Sequence, residues 1–421
     1  MATSAARRTA LLAVLLLAAC LRASSGPSEL ESPAPTRAPA PDPRIRVALV
    51  SGGSDLALGG TVGLRVTLPG GEWLGDVRPA DERRLILKDG GVAIRTPNGA
   101  STPSYGDLRI APADGESPIR FNGRNYRGTL RVMVDGRGLR VINELPIEAY
   151  LRSVVPSEMG RRNPGEREAL LAQAIVSRSY AFRNLGKYGT AEYDALATVA
   201  DQAYAGADSE NAMADEAIAV TRGVVVTING AVAETFFSST CGGRTEDVTA
   251  AFRSSPRAHL QSVPDDDGGS AFCAISPRYR WREEWSGETL RATLARSLPA
   301  AAGVPIEAVR QVRDLQATER TPSGRIAALQ ISLPSRMVRV EGQRIREALR
   351  LTNGEILRST AFDLRTTRGP RGVERLVIDG RGAGHGVGMC QWGAVGRARA
   401  GQDHGRILAA YFPGTRIEKR W

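Results

Sequence analysis

The stretch Arg381-Gly382-Ala383-Gly384-His385-Gly386-Val387-Gly388-Met389-Cys390-Gln391-Trp392-Gly393-Ala394 gathers five glycines around one His, one Cys, one Gln and one Trp. Glycine at this density permits close backbone approach, at an entropic cost the rest of the fold must offset. Gln391 beside Trp392 is a pair typical of sugar contacts, an amide for hydroxyls and a ring for a sugar face. His385, one of three histidines with His259 and His404, is a candidate contact in the same site. The alternative is a tight turn in which His385 is a satisfied structural donor. The glycines alternate strictly, unlike a dinucleotide fingerprint, and no Gly-Lys-Ser/Thr follows, which argues against nucleotide binding.

A second candidate is Glu158, in Val155-Pro156-Ser157-Glu158-Met159-Gly160. A carboxyl among apolar neighbours loses solvation of its charged form, so its pKa rises. That is what a general acid near neutral pH requires. A surface Glu or a helix-dipole partner is the alternative. Among the cysteines after Cys20, Cys241 and Cys273 form the preferred disulfide pair, leaving Cys390 over. A metal site drawing on Cys241, Cys273, Cys390 and His385 is the competing arrangement, since zinc takes Cys and His in tetrahedral geometry. No CxxC or HxxxH spacing supports it, so no cofactor is expected, with zinc as the alternative.

These residues need elements to hold them. Ile45 to Val50 alternates as a strand. Tyr126 to Val134 and Leu139 to Ile142 read as a hairpin turning at Asp135-Gly136-Arg137-Gly138. Ile147, Tyr150, Leu151 and Val154 then fall on one helical face. Pro146 suits the first helical position, and Pro156 ends that helix at Val155 or just before, leaving Glu158 in a short loop. A second helix starts at Asn163-Pro164-Gly165-Glu166, close to a capping box, and runs to about Leu185. Its polar Gln173, Arg178 and Tyr180 are candidates to reach a cleft, while Ser177 is expected to brace neighbours. The apolar run Leu376 to Ile378, closed by Asp379-Gly380, reads as a strand entering the glycine-rich loop. Pro322-Ser323-Gly324 marks a hairpin turn. His404 opens a final helix capped by Asp403, and His259 carries no functional reading. The fold class is α+β, with mainly antiparallel sheets around a small helical core that carries the catalytic loop, in a single composite unit.

The N-terminus reads as an export signal, residues 1–19, with Arg7 and Arg8 before a short apolar core. Leu17-Ala18-Ala19-Cys20 looks like a bacterial lipobox with Cys20 as the lipidated residue. Leu21 after it resembles outer-membrane sorting in a diderm envelope, which places the protein lipid-anchored and facing the periplasm. Acyl chains anchor through roughly 0.8 kcal/mol per buried CH₂. Residues 20–43 form a Pro-rich spacer; 44–140 is a β-rich stretch; 141–421 carries the candidate residues. The net charge of +11, in which arginine far outnumbers lysine, favours an anionic polymer. With an export signal, interspersed charges and only 5% aromatic residues, nucleic acid is not the expected partner.

Several motifs stand in an order that resembles the SpoIID/LytB family, the stage II sporulation protein D and amidase-enhancer domain proteins. They are Asn143 to Leu151, Val154 to Met159, Leu171 to Ala181, Phe237-Ser238-Ser239-Thr240-Cys241-Gly242-Gly243-Arg244-Thr245-Glu246, the Gly384 to Ala394 loop, and Tyr411-Phe412-Pro413-Gly414-Thr415. The resemblance implies that 141–421 is the catalytic region and peptidoglycan strands the substrate. It implies cleavage between N-acetylmuramic acid and N-acetylglucosamine, on strands stripped of stem peptides, with the Glu of a Ser-Glu-Met motif as the acid, here Glu158. Ser239 and Thr240 become hydrogen-bonding candidates. Members named as enhancers instead stimulate a partner amidase, and that is the alternative role. Phe237 stands where the family often has His, which removes a residue that zinc in some members relies on. Hydrolases of the common type need two carboxylates. A lytic transglycosylase needs one, which protonates the glycosidic oxygen and then takes the proton of the muramic C6 hydroxyl as a 1,6-anhydro ring closes.

Overall fold

The alternation in 44–50 folds as its periodicity predicts. Arg44–Gly53 is a strand whose inward residues Ile45 and Val47 are buried. The computed structural model describes residues 41–189 and 192–421; the export signal, Cys20 and nearly all of the Pro-rich spacer lie outside the described residues. Arg44–Gly53 pairs antiparallel with Leu139–Pro146, which pairs in turn with Thr129–Val134 around the expected 135–138 turn. These strands form the centre of a seven-stranded sheet, completed by Asp107–Pro112, Leu64–Thr67, Trp73–Val77 and the short parallel strand Ala195–Leu196. A five-stranded antiparallel sheet built from 55–60, 83–95 and 119–126 stacks its apolar residues into the same core. The architecture is α+β and mainly antiparallel. Among the described residues, no helix is long and apolar enough to cross a membrane.

Against Arg44–Gly53 and Leu139–Pro146 packs α1, Ile147–Met159, and against α1 in turn packs α2, Arg167–Arg183. In α2 every residue from Ala169 to Ala181 is buried, so it is the central helix and not an amphipathic surface one. The Asn163-Pro164-Gly165-Glu166 start forms a single 3₁₀ turn before it, with the Asn163 amide donating to the Glu166 carboxylate at 3.1 Å. Expectation and structure part at Pro156. α1 continues through it to Met159, placing Glu158 on the last helical turn and not in a loop. Proline removes one i→i−4 bond near a helix end, where carbonyls are already short of partners. Burial of Val154, Val155, Pro156 and Met159 holds the turn in place, and the Gly160 amide closes it on the Pro156 carbonyl at 2.8 Å.

A second apolar core lies between residues 285 and 378. The helix Gly287–Ala302 covers Asp314–Arg320, Ile326–Ser332 and Met337–Glu341, and beside them the sheet of Arg280–Ser286, Gly372–Arg381 and Phe362–Gly369. The Pro322-Ser323-Gly324 hairpin forms as expected. Asp379-Gly380, in contrast, does not turn the chain; the strand runs through to Arg381. Asp379 is held outward by Arg282 and Arg365 across the sheet, and the bare Gly380 accommodates the Trp281 ring, which any Cβ there would strike.

The glycine-rich segment then lies along residues 236–241. Met389–Cys390 pairs with Phe237–Ser238 as a short parallel ladder, and Thr240 bridges Ala383 through both backbone bonds, at 3.0 and 2.8 Å. A Cβ on Gly384 would approach the Ser238 Cβ to 2.7 Å, and one on Gly388, at φ 69°, would land on the Phe236 carbonyl. Gly388→Ala therefore combines left-handed strain of about 1–2 kcal/mol with a backbone clash. Chemical denaturation is expected to show a loss of more than about 2 kcal/mol; an unchanged midpoint would mean this packing carries no weight.

Candidate functional site

α1 delivers Glu158 on its last turn, half-buried, facing the start of the helix Gln391–Arg399. Two donors converge on the carboxyl. The backbone amide of Ala203 donates to Oε1 at 2.7 Å, and the Gln391 side-chain amide approaches Oε2 at 3.4 Å. Burial raises the Glu158 pKa above the ordinary carboxyl value, and these two donors lower it only in part. The group is thus biased toward carrying a proton while its neighbours can still stabilise the carboxylate once the proton leaves.

A chain of side chains stands behind that contact. Gln391 Nε2 also approaches Gln173 Oε1 at 3.4 Å, and Gln173 donates to the Ser177 hydroxyl at 2.9 Å, one helical turn on. Gln173 has no exposed surface. It therefore does not reach a cleft, contrary to the expectation from sequence; it orients Gln391. Tyr180 is likewise turned inward, its hydroxyl on Asp201 at 2.9 Å, with burial and Asp201 both pushing its pKa up. Asp201 also accepts from Lys187, Tyr188 and the Leu196 amide. The Tyr180 hydroxyl thus pins the segment that presents the Ala203 amide, and its role is positioning.

Arg178 departs further. Five residues from Gln173, it falls on the far side of a helix with 3.6 residues per turn. There it is fully buried, in a two-pronged ion pair with Glu148 at 2.8 Å for each bond, with further bonds to Thr221 and to the Val224 and Ile218 carbonyls. A guanidinium saturated this way has no donor for a sugar. Thr240 is buried too, its hydroxyl shared with Ser276 at 2.7 Å. Of the residues singled out in sequence, Gln391, Trp392 and Ser239 stay at the Glu158 side. The Trp392 amide donates to the Ser239 carbonyl at 3.0 Å, and the Trp392 ring is half-buried beneath the Arg162 guanidinium, 4.8 Å from its centroid. Arg162, two residues past Gly160, was not singled out from sequence. Its position in the loop after the Ser-Glu-Met turn is the signal that points to it. The Ala203 amide has none, since every residue but proline carries one.

His385 stands in another neighbourhood. Its ring contacts Phe236 and Phe252, with centroids 6.2 and 5.0 Å away, and its Nδ1 accepts from the Val387 amide at 3.0 Å. Burial, with Arg346 and Arg325 nearby, pushes its pKa down to about 3. It is a neutral imidazole bracing the glycine-rich turn. His404 opens the final helix as expected, with Asp403 as its cap and its ring on Glu168 at 2.8 Å, and His259 donates from Nε2 to the Glu234 carbonyl at 2.8 Å.

Among the described residues the cysteines are three free buried thiols, Cys241, Cys273 and Cys390, and the expected Cys241–Cys273 disulfide is not formed. Cys241 and Cys273 sulfurs lie 3.6 Å apart, both close to Cys390 and to the Asp265 carboxylate, with all four ligand atoms within 4.8 Å of one another. Three thiols meeting at one point leave no single preferred pair. Asp265 takes the place expected for His385, which faces away. Burial and the neighbouring sulfurs raise Asp265 to about 7. Three sulfurs and one oxygen form a donor set that suits tetrahedral zinc. Asp265 gave little sequence signal, because Asp265-Asp266-Asp267 reads as a solvated acidic run. Cys390 also accepts from the Cys241 and Gly393 amides, fixing the helix start that carries Gln391.

A prediction follows from the donors on Glu158. Gln391→Leu removes a contact that lowers its pKa, so the pKa should rise further. If activity needs protonated Glu158, the alkaline limb of its pH profile should move to higher pH, while an unmoved limb would mean the 3.4 Å contact has no influence.

The family described as Stage II sporulation protein matches residues 135–228, and a domain of unknown function, DUF8618, matches 248–388. An uncharacterized protein of Brachyspira hyodysenteriae (strain ATCC 49526 / WA1) is 30% identical over 309 residues, covering 70% of this chain and 73% of that protein. Stage II sporulation protein D of Bacillus subtilis (strain 168) is 26% identical over 293 residues, 66% of this chain and 76% of that protein. The amidase enhancer of the same organism is 28% identical over 380 residues, 80% of this chain but 51% of the enhancer, so the chain spans about half that relative's length. On the matched 135–228 stretch, which holds Glu158, Gln173 and Ala203, and on these relatives, the chain belongs to the SpoIID/LytB family.

Proposed function

We propose that the chain is a lytic transglycosylase that cuts the bond from N-acetylmuramic acid to N-acetylglucosamine in peptidoglycan, on strands freed of stem peptides. A role at the cell wall is supported by the family and by its sporulation and enhancer relatives. The activity rests on one observation: a single half-buried carboxyl, Glu158, with its pKa raised by burial and with two donors poised to receive the charge. Protonated Glu158 gives its proton to the glycosidic oxygen as the bond breaks. The resulting carboxylate, held by the Ala203 amide and Gln391, takes the proton of the muramic C6 hydroxyl as that oxygen closes on the anomeric carbon. One group serves both steps, and tight placement of the sugar supplies the remaining advantage. Trp392, Ser239 and Arg162 are the residues we assign to holding it, supported by the Trp392 amide bond to the Ser239 carbonyl and the Arg162 guanidinium over the Trp392 ring. The envelope is the proposed setting, with the lipidated Cys20 as tether to the outer membrane.

The experiment is mass spectrometry of the products from intact and peptide-stripped strands given the chain from Arg44 onward. New 1,6-anhydromuramic ends support the reading; reducing ends would make it a hydrolase. A second reading, enhancer of a partner amidase, is favoured by the 28% identity with the amidase enhancer over 80% of this chain. It predicts no cleavage by the chain alone and faster stem-peptide release when an amidase is added.

A further inference from the structure

A cleft of about 290 Å³ lies between Cys241–Arg244 on one side and Ser323, Arg325 and Arg381 on the other. It belongs to neither the Glu158 site nor the thiol cluster, although Cys241 borders both the cleft and the thiols. Three guanidinium groups bound it. Arg325 is 2% exposed and donates through Nη2 to the Cys241 carbonyl at 2.6 Å and the Arg244 carbonyl at 3.3 Å, yet its Nε and Nη1 have no hydrogen-bond partner. The acid nearest to it, Glu246, stays 3.9 Å from Nε. That carboxylate is already occupied by the Thr321 and Ser323 hydroxyls, at 2.7 and 2.9 Å, and by the Asp247 amide at 2.9 Å.

A buried guanidinium with two idle donors keeps the full desolvation penalty of each unsatisfied group. Such a group persists when something else supplies its partners. Arg381 has one long contact, to the Ser323 carbonyl at 3.4 Å, and Arg244 makes two of 3.4 Å to Ser262, so both keep donors in reserve. Arg346 adds a further positive charge near Arg325. The geometry also constrains what Arg325 can do, because a Cβ on Gly386 would push into its guanidinium; the glycine-rich turn leaves the room in which Arg325 lies. Excess cationic donors around a small cleft, with idle nitrogens on a fixed fork, match a planar or tetrahedral oxyanion.

We propose that this cleft is an oxyanion subsite that takes a carboxylate or phosphate group of the wall polymer through Arg325 and Arg381. Resting on the proposed function, the group is the lactyl carboxylate of a muramic residue, which is freed as an anion only when the stem peptide has been removed. This would make the site a reader of stripped strands.

Binding, not cleavage, tests it. Calorimetry at low salt would compare the chain from Arg44 onward with peptide-stripped strands, with the same strands after methyl-esterification of their muramic carboxylates, and with inorganic phosphate as competitor. Stripped strands should bind at least tenfold more tightly than esterified ones, and Arg381→Gln should erase most of that difference with its melting temperature unchanged. Phosphate binding that Arg381→Gln abolishes, with no preference for stripped over esterified strands, assigns the site to phosphate groups. Equal binding of all ligands by wild type and Arg381→Gln overturns the subsite. Arg325→Met is a second variant; a folded Arg325→Met that keeps the full preference also overturns it. Glu158→Gln should retain the preference, so failure of cleavage and failure of this site give different results.

Discussion

Glu158→Gln should lower formation of 1,6-anhydromuramic ends by on the order of 10²–10⁴-fold, the range general acid–base catalysis contributes, with the fold unchanged. The Gln keeps an oxygen that can accept from the Ala203 amide at the position Oε1 now holds, and Gln391 can present its own carbonyl to the new amide. What the substitution removes is the proton. The wild-type rate should fall as pH rises through the raised pKa of Glu158, because the protonated form begins the reaction and burial is what raises that pKa. The variant should show no such limb. Anhydro products made equally well by Glu158→Gln would sink the single-acid mechanism. Strand binding without products from either form, combined with stimulation of an added amidase, would move the assignment to the enhancer reading.

Arg178→Ala should cost about 3–5 kcal/mol of stability, the range for breaking a buried pair by removing one partner. Arg178 has no exposed surface and Glu148 is 7% exposed. The change leaves the Glu148 carboxylate with only the Gly223 amide, at 3.2 Å, and frees the Val224 and Ile218 carbonyls. Arg178→Met with Glu148→Leu should regain most of the loss, since an apolar pair of similar volume removes the stranded charge. Urea denaturation at constant slope checks both. A substrate-contacting Arg178, as its sequence position invites, would instead raise KM with little change in the denaturation midpoint.

The contrast between Arg178 and Gln173 shows how the reading of this chain divides. Both were visible as polar residues in an apolar helix, and the six ordered motifs were enough to give the family and Glu158. Periodicity gave α2 and the 129–146 hairpin, because side-chain spacing of 3.6 and 2.0 is a local property of the backbone. It could not give the partners. Whether a polar side chain in a buried helix meets solvent or another element depends on what packs there, and Gln173 and Arg178 differ only in which neighbour each meets. Pro156 and Asp379-Gly380 misled for a related reason. Local breaker signals state a preference of about a few kcal/mol, and the burial of α1 and the cross-strand arginines on Asp379 outweigh it.

By itself the sequence determined the α+β class, the glycine-rich segment and the helix starts, which rest on residue type and short spacing, and its ordered motifs made Glu158 the candidate acid. Only the tertiary structure decided the rest. It put Ala203 and Gln391 on Glu158 from 45 and 233 residues away. It gathered three cysteines and Asp265 where a disulfide was expected, turned His385 into a brace, and left Arg325 with idle donors in a basic cleft. These are contacts between distant segments, set by how the sheet and two buried helices pack, and no local pattern encodes which groups packing will bring within bonding distance.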